Sequence, residues 1–351
     1  MKKRIWLLNA INIVLFYLTL GLGLGSLIPG NWLPGVGVFS ILFPLLVFPH
    51  LLLFFIWLRL QPKRAVKNIL SLCFLAYPVL AQAPLGKGPA DDEVEVKVAS
   101  YNVRAFYQFN GAANEIGQWT QSEGIDVLCV QEMRRSAVGN LYLNYPNRVY
   151  APANRSIGTA IYSKFPIINS GALSFEHLEG SRYARESAGF ADIIFPFDTV
   201  RVINVHLTST GVKNMDMEVE PTREEWVEKS RFVAKKIAGS DKSRAIQGKH
   251  ILDWVNGSPH PVILTGDFNS VPGGNLYARL LWQLDDPYLT KGHGAWGSYT
   301  PLREKGLPLR IDWTLVDENL PWNGQYIDDI SFSDHRPLIT TFSGSIVPAE
   351  D

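Results

Sequence analysis

Two long apolar runs near the N-terminus constrain this chain more strongly than any other feature of its sequence. Residues 5–28 are mostly apolar, and residues 36–60 form a longer and cleaner run that ends near Trp57. Both runs exceed the ~20 residues that an α-helix needs to cross the hydrocarbon core of a bilayer. Residues 29–35 between them are rich in proline and glycine, which is typical of a turn. The sequence therefore predicts a transmembrane helical hairpin rather than a hairpin buried in a soluble core.

A shorter apolar run at residues 69–83 allows two interpretations. One is a third transmembrane helix, interrupted by Pro78. The other is a signal peptide, because basic residues at 63–67 precede the run and Ala81-Gln82-Ala83 resembles a cleavage site after Ala83. We favour the uncleaved third helix.

The charge distribution supports an anchor and indicates its orientation. Residues 1–90 carry eight Lys or Arg and no Asp or Glu, whereas the remainder carries 25 basic and 33 acidic side chains, a net charge of −8. Such a split is typical of a membrane anchor joined to an acidic soluble domain. Basic residues at 2–4 and 59–67 predict that both segments face the cytoplasm. If the third segment crosses the membrane, the soluble domain lies outside the cytoplasm. If it does not cross, the soluble domain lies inside the cytoplasm. We expect a multi-pass protein of the cell membrane with an extracytoplasmic domain.

The chain therefore divides into an anchor and one larger domain. We expect the anchor at residues 1–86, a linker at 87–93, the domain at 94–345 and a tail at 346–351. Prolines and glycines before residue 90, followed by a rise in charge density, mark the boundary.

Apolar segments of strand length recur after residue 94, in mixed order with helical segments. Helical patterns cover residues 114–122, 221–238 and 243–255, with Pro221 at the first position of the second helix. Strand patterns cover residues 94–102, 125–130, 158–163, 188–195, 200–207, 261–264, 310–316 and 338–342. Strands with helices between them predict an α+β sandwich of two sheets covered by helices, and the pattern leaves the strand order open.

The segment Thr265–Ser270 puts a carboxylate and an amide at the end of an apolar strand. Gly266 permits a tight turn there. Asp267 and Asn269 lie two residues apart, so extended geometry directs both side chains to the same face. A carboxylate beside an uncharged amide suits a site that orients water and holds a phosphoryl oxygen.

Further polar residues follow or enter strands in the same way: Asn102, Glu132, His206, Asp312, Asp334 and His335. Each has an ordinary explanation as a turn cap, a surface carboxylate or a satisfied core histidine. Asp312 is the least ordinary, because a carboxylate within an apolar strand is rarely buried unless it is paired. Their recurrence at strand ends indicates a site of hard oxygen ligands, the kind that Mg²⁺ prefers, and no Cys/His cluster has the spacing of a zinc site.

Seven motifs occur in a fixed order along the chain, at residues 100–104, 130–132, 158–164, 204–207, 265–269, 310–313 and 333–337. They resemble, in the same order, the motifs of the endonuclease/exonuclease/phosphatase superfamily, which includes DNase I, abasic-site endonucleases, neutral sphingomyelinases and inositol polyphosphate 5-phosphatases. The resemblance covers about residues 94–343. It implies a four-layer α/β/β/α sandwich of DNase I-like fold with its site at one sheet rim. In this chain the predicted N-terminal transmembrane helical region precedes that sandwich and lies outside the resemblance.

Two positions narrow the choice of subgroup within this superfamily. His206 stands where DNase I-like and sphingomyelinase-like members have histidine and abasic endonucleases have tyrosine. Arg104 stands where abasic endonucleases carry an acidic residue, so both positions disfavour a repair enzyme. Arg185 and Glu186 lie where DNase I has a glutamate that supports the equivalent histidine, but the alignment there is loose and we leave both out of the site.

The resemblance implies catalytic roles for five residues: His206, Asp267, Asn269, Asp312 and His335. It implies metal ligation by three: Asn102, Glu132 and Asp334. The metal is expected to be Mg²⁺, with Mn²⁺ as the alternative. Asp267 would deprotonate the attacking water and Asn269 would hold a phosphoryl oxygen. His335, oriented by Asp312, would stabilise the developing negative charge, with His206 acting from the other side.

These roles predict a membrane-anchored, metal-dependent phosphoester hydrolase whose substrate stays open. A net charge of −8 on the soluble domain disfavours nucleic acid, although arginines at 134, 135, 148, 155, 182 and 185 could form a local basic rim. Attachment beside a bilayer suits a phospholipid or sphingolipid head group, and an inositol phosphate is a further alternative. Outside the enzymes, the alternative is a non-catalytic membrane-tethered binding module. The N-terminal helices imply contact with the bilayer, and nothing in the sequence implies a protein partner.

Overall fold

The computed structural model describes residues 2–83, 86, 96–138, 145–175, 186–211, 222–294, 297–304, 306 and 308–343. The expected linker at 87–93 and the tail at 346–351 lie outside the described residues. Nine α-helices run through the described part: α1 Lys2–Ser26, α2 Gly37–Leu42, α3 Val47–Leu60, α4 Val66–Leu80, α5 Ala112–Ser122, α6 Arg223–Asn256, α7 Asn275–Leu280, α8 Pro287–Lys291 and α9 Thr300–Arg303.

Twelve strands form two sheets in the described part of the chain. They are β1 Val96–Asn102, β2 Val127–Arg134, β3 Asn147–Pro152, β4 Ile157–Ser163, β5 Ile167–Ser174, β6 Ser187–Ile194, β7 Thr199–His206, β8 Val262–Asp267, β9 Gly292–Gly294, β10 Asp312–Val316, β11 Trp322–Ile327 and β12 Leu338–Phe342. The first sheet has the order β3-β4-β2-β1-β12-β11-β9, and the second has the order β10-β8-β7-β6-β5. Both sheets mix parallel and antiparallel pairs, since β1 runs parallel to β2 and β7 runs parallel to β8.

Three apolar cores separate four layers. Ile116 and Trp119 of α5 pack on one face of the first sheet, against Tyr101 and Val130. The central core lies between the sheets, where Val98 and Cys129 of the first sheet share a cluster with Val202 and Ile263 of the second. The third core joins the outer face of the second sheet to α6, through Leu264, Leu252 and Val255. Burial of each large apolar side chain contributes about 1.5–3 kcal/mol, so the stacking of the layers rests on these cores. The predicted α/β/β/α sandwich is confirmed.

The long helix α6 corrects the sequence prediction of two helices. The sequence predicted separate helices at 221–238 and 243–255, yet one helix continues through Gly239 and Ser240. A glycine in a helix interior costs only ~1 kcal/mol, and the hydroxyls of Ser240 and Ser243 donate to backbone carbonyls one turn back, which keeps them inside the helix. At the start, Thr222 and Glu225 form a capping box. Pro221, predicted as the first helical residue, lies outside the described residues.

The N-terminal part is a helical bundle with a largely apolar exterior. Two helical stretches, Lys3–Ser26 and Gly37–Leu60, are long and apolar enough by length and composition to cross a membrane. The second is irregular, because a 3₁₀ turn at Phe43–Leu46 joins α2 to α3. The third predicted span corresponds to α4, whose 15 residues make it shorter than the other two. Many large apolar side chains of the two stretches face outward, among them Trp6, Val14, Tyr17, Phe48, Leu52 and Phe55.

A buried polar contact holds the three long helices of the bundle together. The imidazole of His50 in α3 lies 2.7 Å from the Thr19 hydroxyl of α1 and 3.0 Å from the Asn68 amide oxygen of α4. Away from water such contacts hold helices in one arrangement, because separating them leaves polar groups in an apolar medium. Helix α4 therefore lies alongside α1 and α3.

Candidate active site

Strand register in the second sheet aligns three polar side chains at one edge. Asp312, the first residue of β10, is paired with Asp267 at the end of β8, and Asp267 is paired with His206 at the end of β7. Gly266 makes this close approach possible. Its φ is +141°, and a Cβ atom there would lie 2.0 Å from the carbonyl oxygen of Val205, so any side chain would push the two strands apart.

The first sheet brings Asn102 and Glu132 to the same edge. Asn102 ends β1, and its Nδ2 donates to the Asp267 carboxylate across the gap between the sheets, at 2.9 Å. The sequence predicted that β2 would stop at Gln131, and this prediction is wrong. The strand continues to Arg134 through an irregular step between Val130 and Met133, where Glu132 has a φ of +51°. A bulge of this kind redirects a side chain, and Glu132 reaches the cleft between the sheets.

The most closely packed group of the site is Asp267, Asp312 and His335, whose ligand atoms all lie within 4.8 Å of one another. His335 Nδ1 contacts Asp312 Oδ2 at 2.9 Å, and His335 Nε2 lies 3.8 Å from Asp267 Oδ2. Burial opposes a charge on this ring, but Asp312 and then Asp267 outweigh it and raise the pKa of His335 to about 10. The ring is therefore held as an imidazolium at neutral pH.

Asp267 sits at the centre of the group. Burial and then the neighbouring Asp312 carboxylate raise the pKa of Asp267 to about 6, against the opposing effect of the two histidines and Asn102. Its Oδ1 accepts a hydrogen bond from the backbone N–H of Asn269 at 2.9 Å. A carboxylate with this pKa is mostly ionised at neutral pH and can still accept a proton from a reacting water.

His206 and Asn269 approach the same carboxylate from the second sheet. His206 Nε2 lies 3.7 Å from Asp267 Oδ2 and 3.8 Å from Glu132 Oε1. Asn269 has a φ of +50°, and its amide donates to the carbonyl of Leu207 at 2.9 Å, which holds this left-handed turn in place. A non-glycine residue in that region of φ is uncommon and is typical of functional sites.

Asp334 lies at the rim of the cleft, where it pairs with the guanidinium of Arg104. Arg104 Nε lies 3.4 Å from Asp334 Oδ2, in an unusual turn in which residues 104–106 all have positive φ. Tyr299 pairs with His335 through an isolated antiparallel bridge, and its ring lies 5.1 Å from the imidazole. The backbone nitrogen of Asp312 donates to Ser298 Oγ at 3.1 Å. These contacts fix the loop that carries Asp334 and His335 against the end of β10.

The residues surround a cleft of about 230 Å³. One wall is polar and contains Glu132, His206, Asp267, Asn269, Asp334 and His335. Ser209, Thr210 and Ser270 add to this polar part, and the rest of the lining, which we call the apolar wall, contains Ile41, Val271, Tyr299, Leu302, Leu309 and Ile311. Asn102 and Asp312 lie directly behind the polar wall, since they contact Asp267 and His335. The structure thus brings all eight predicted site residues together, and their individual roles stay predictions.

The donors of the site suit a divalent cation. Asp312 Oδ1 is buried without a hydrogen-bond partner among the described residues, and carboxylate and amide oxygens are hard ligands. The group of Asp267, Asp312 and His335 is close enough to hold a metal ion. However, His335 Nδ1 is taken by Asp312 and a protonated ring has no lone pair for a metal. The oxygens of Glu132, Asn102 and Asp334 are the better candidates.

The sequence did not single out several residues on which the site depends. Gln131 and Asn204, which lie in two of the motifs but were not assigned to the site, form a buried hydrogen bond of 2.7 Å between the two sheets, and Ser298 and Ile41 have no motif of their own. Polar residues within apolar strands were a signal for the first two, whereas nothing in the sequence indicated the last two. Glu186 is buried next to Ser187, which is paired with His206; Arg185 lies outside the described residues.

The fold is shared with a known protein family. Residues 99–335, more than half of the chain, match the Endonuclease/Exonuclease/phosphatase family, and the chain belongs to this family. No match was found among curated proteins.

Solved structures show the same fold at low sequence identity. Humanized D. rerio TDP2 is 16% identical with a TM-score of 0.52, covering 71% of this chain and 98% of that chain. An endonuclease/exonuclease/phosphatase family protein from Bacteroides thetaiotaomicron is 16% identical with a TM-score of 0.52, covering 73% and 97%. Sphingomyelinase C from Streptomyces griseocarneus is 18% identical with a TM-score of 0.50, covering 71% and 99%. At these identities the likeness shows the fold alone.

Proposed function

We propose that this protein is a membrane-anchored, divalent-metal-dependent hydrolase of phosphoester bonds. The observation that carries the proposal is the convergence of Asp267, Asp312, His335 and Asn102, drawn from both sheets, at the polar wall of one cleft. A positioned base beside a fixed imidazolium is the arrangement that hydrolysis of a phosphate ester requires.

Each polar side chain has a defined task in this reaction. Asp267 takes a proton from the attacking water, whose oxygen forms a bond to phosphorus while the ester P–O bond on the opposite side breaks. The leaving oxygen takes up a proton from solvent. The His335 imidazolium, kept charged by Asp312, stabilises the negative charge on the phosphoryl oxygens, and His206 and Asn269 hold those oxygens from the second sheet.

We propose Mg²⁺ as the cofactor, with Mn²⁺ as the alternative. Glu132, Asn102 and Asp334 would hold the ion at the rim. When bound, Mg²⁺ supplies Lewis-acid polarisation of a non-bridging phosphoryl oxygen. No lysine or arginine is present among the described residues that line the cleft, so the His335 imidazolium alone would face the phosphate charge, which supports a cation as the second source of positive charge.

We also propose three membrane crossings, an anchor at residues 1–86, a linker at 87–93, a hydrolase domain at 94–345 and a tail at 346–351. Contacts with the domain support this topology, because they lie at one end of the bundle: Ser26 Oγ donates to the Gly273 carbonyl, and Arg310 Nη1 donates to the Ala81 carbonyl at 3.0 Å. The basic segment near Arg59 lies at the far end of α3. By the positive-inside rule that far end is cytoplasmic, which puts the domain outside the cytoplasm.

The same contacts argue against cleavage after Ala83. Ala81 is fully buried, and the Gln82 side chain accepts a hydrogen bond from the backbone nitrogen of Arg310 at 3.0 Å. Arg310 is itself fully buried in an ion pair with Asp286. Removal of residues 1–83 would leave a guanidinium without one of its partners, which carries a substantial energetic cost.

The test is steady-state hydrolysis of bis(p-nitrophenyl) phosphate by the full chain in nanodiscs with Mg²⁺. We expect Asp267→Ala and His335→Ala each to lower kcat by at least ~100-fold, and EDTA to abolish turnover until Mg²⁺ is restored. Glu318→Ala, at an exposed turn position after β10, is the matched control and should retain activity. Activity within a few-fold of wild type in both site variants would contradict the proposal.

A further inference from the structure

The anchor contributes a wall to the cleft. Ile41, in the short helix α2, lines the same cleft as Glu132, His206 and Asp267. Ile41 precedes the matched family region of residues 99–335, and it lies within Gly37–Leu60, a stretch long and apolar enough to cross a membrane. At a rise of 1.5 Å per residue, Ile41 is only about 6 Å from the start of that stretch. The cleft therefore meets the anchor where the anchor would enter the bilayer.

Specific contacts hold α2 in this position. The backbone N–H of Gly37 donates to Asp241 Oδ2 of α6 at 2.8 Å, and Asp241 also forms a buried ion pair with Arg244. Gly30, in the loop before α2, packs directly on Asp241, since a Cβ atom there would lie 2.5 Å from the Asp241 carbonyl oxygen. Ion pairs and close backbone packing of this kind resist displacement, so these contacts hold α2 in a fixed position in the lining of the cleft.

The same contacts reach the loop after β7. Arg244 Nη1 donates to the carbonyl of Thr208 at 2.8 Å, and Gln247 hydrogen-bonds both the backbone and the hydroxyl of Thr208. Thr208 lies two residues after His206, and the next residue, Ser209, lines the cleft. The position of α2 is thus linked through α6 to the polar side of the site.

The chemistry of the two walls selects the substrate. The polar wall accommodates a phosphate ester, whereas Ile41, Leu302, Leu309 and Ile311 of the apolar wall have only hydrocarbon side chains. Among the described lining residues no lysine or arginine is present, and nucleic-acid binding depends on such cations. Arg104, at the rim, is paired with Asp334. A ligand with one phosphate and one hydrocarbon chain satisfies both walls.

We infer that the substrate is an amphiphilic phosphoester drawn from the membrane surface, with its phosphate at the polar wall and its hydrocarbon chain against Ile41. The inference rests on the proposed hydrolase function and adds the class of substrate. It makes Ile41 a specificity-determining residue that the anchor supplies to the domain.

The experiment uses the full chain in nanodiscs with Mg²⁺ and two diesters that share a leaving group, methyl p-nitrophenyl phosphate and octyl p-nitrophenyl phosphate. Each fully buried methylene strengthens binding by about fourfold. Burial of only two of the additional methylenes therefore predicts a kcat/KM at least ~10-fold higher for the octyl ester. Ile41→Asn should lower the octyl-to-methyl ratio at least ~4-fold, the loss of about one methylene contact.

Leu42→Asn is the matched control. Leu42 is the next residue of α2, is 43% exposed and does not line the cleft, so this variant should keep the wild-type ratio. Because both variants sit in the same nanodisc, partition of the octyl ester into lipid affects them equally. The comparison of kcat/KM for the two esters with the wild-type protein needs no variant, so it tests the inference even if Ile41→Asn does not fold.

Three results would overturn the inference: equal kcat/KM for the two esters, an equal fall of the ratio in both variants, or faster hydrolysis of a single-stranded DNA 12-mer than of the octyl ester. These results leave the proposed function intact, because the methyl ester is still hydrolysed. Failure of the wild-type protein to hydrolyse any of the three substrates with Mg²⁺ would instead remove the proposed function itself.

Discussion

Replacement of Asp312 by asparagine isolates the role of the buried carboxylate behind His335. The side chain keeps its size and can still contact His335 Nδ1, which lies 2.9 Å from Asp312 Oδ2. It loses the negative charge that is the largest favourable contribution to the imidazolium. The variant therefore tests whether charge, rather than shape, prepares His335 for catalysis.

The structure sets the expected magnitude. A rise of the His335 pKa from 6.5 to about 10 corresponds to about 5 kcal/mol of net stabilisation of the charged ring. Asp312 is the largest favourable contributor to this rise and Asp267 the next, so we expect loss of the Asp312 charge to destabilise the imidazolium by on the order of 3 kcal/mol. If the transition state depends on the imidazolium to the same extent, kcat falls on the order of 100-fold.

The assay is the pH profile of bis(p-nitrophenyl) phosphate hydrolysis with saturating Mg²⁺. Wild-type His335 stays charged up to a pKa of about 10, whereas in Asp312→Asn the ring loses its proton at a lower pH, so the alkaline fall in rate begins earlier. Asp317→Asn, the same change just beyond the other end of β10, is the control. A normal rate and an unshifted alkaline limit in Asp312→Asn would refute the reasoning.

Three further predictions follow from the junction, the site and the topology. Arg310→Met removes a fully buried partner of Asp286 and should lower the free energy of unfolding by about 3 kcal/mol, which is measured as a lower Tm. The control Arg303→Met, at an exposed ion pair, should cost less than ~1 kcal/mol. Equal changes in Tm in the two variants would contradict this prediction. Because the folded pKa of His335 is raised from 6.5 to about 10, its stabilisation in EDTA is complete below pH 6.5 and is lost as the pH rises towards 10. The Tm difference between wild type and His335→Gln should shrink over that range, and a constant difference would count against the charged ring. Protease added to intact cells should remove the domain if three crossings are correct, and full protection would place it in the cytoplasm.

Much of the site was readable from the sequence because its chemistry is local. Asp267 and Asn269 follow an apolar strand directly, Asp312 lies within a predicted strand, and Asp334 and His335 precede one. A strand end with a polar side chain is visible in a few consecutive residues, because side-chain alternation depends only on neighbouring positions. The family motifs added the order of these strand ends and hence the sandwich.

Other features were decided by long-range packing. The long helix α6 crosses Gly239 and Ser240 because its apolar side packs on the second sheet, and tertiary packing outweighs the local cost of a glycine. Glu132 reaches the cleft through a bulge with positive φ, although the sequence predicted that the strand would stop there. Local propensity contains no information about either outcome.

By itself, then, the sequence determined the residue types of the site, the apolar stretches of the anchor and the presence of two sheets, since each depends on hydropathy and spacing along the chain. Only the tertiary structure decided that Asp267 stands between Asn102 of one sheet and Asp312 of the other, and that Ile41 of the N-terminal apolar region lines the same cleft. Contacts between residues tens to hundreds of positions apart depend on how whole layers pack. For that reason the contribution of Ile41 to the cleft was not predictable from the sequence.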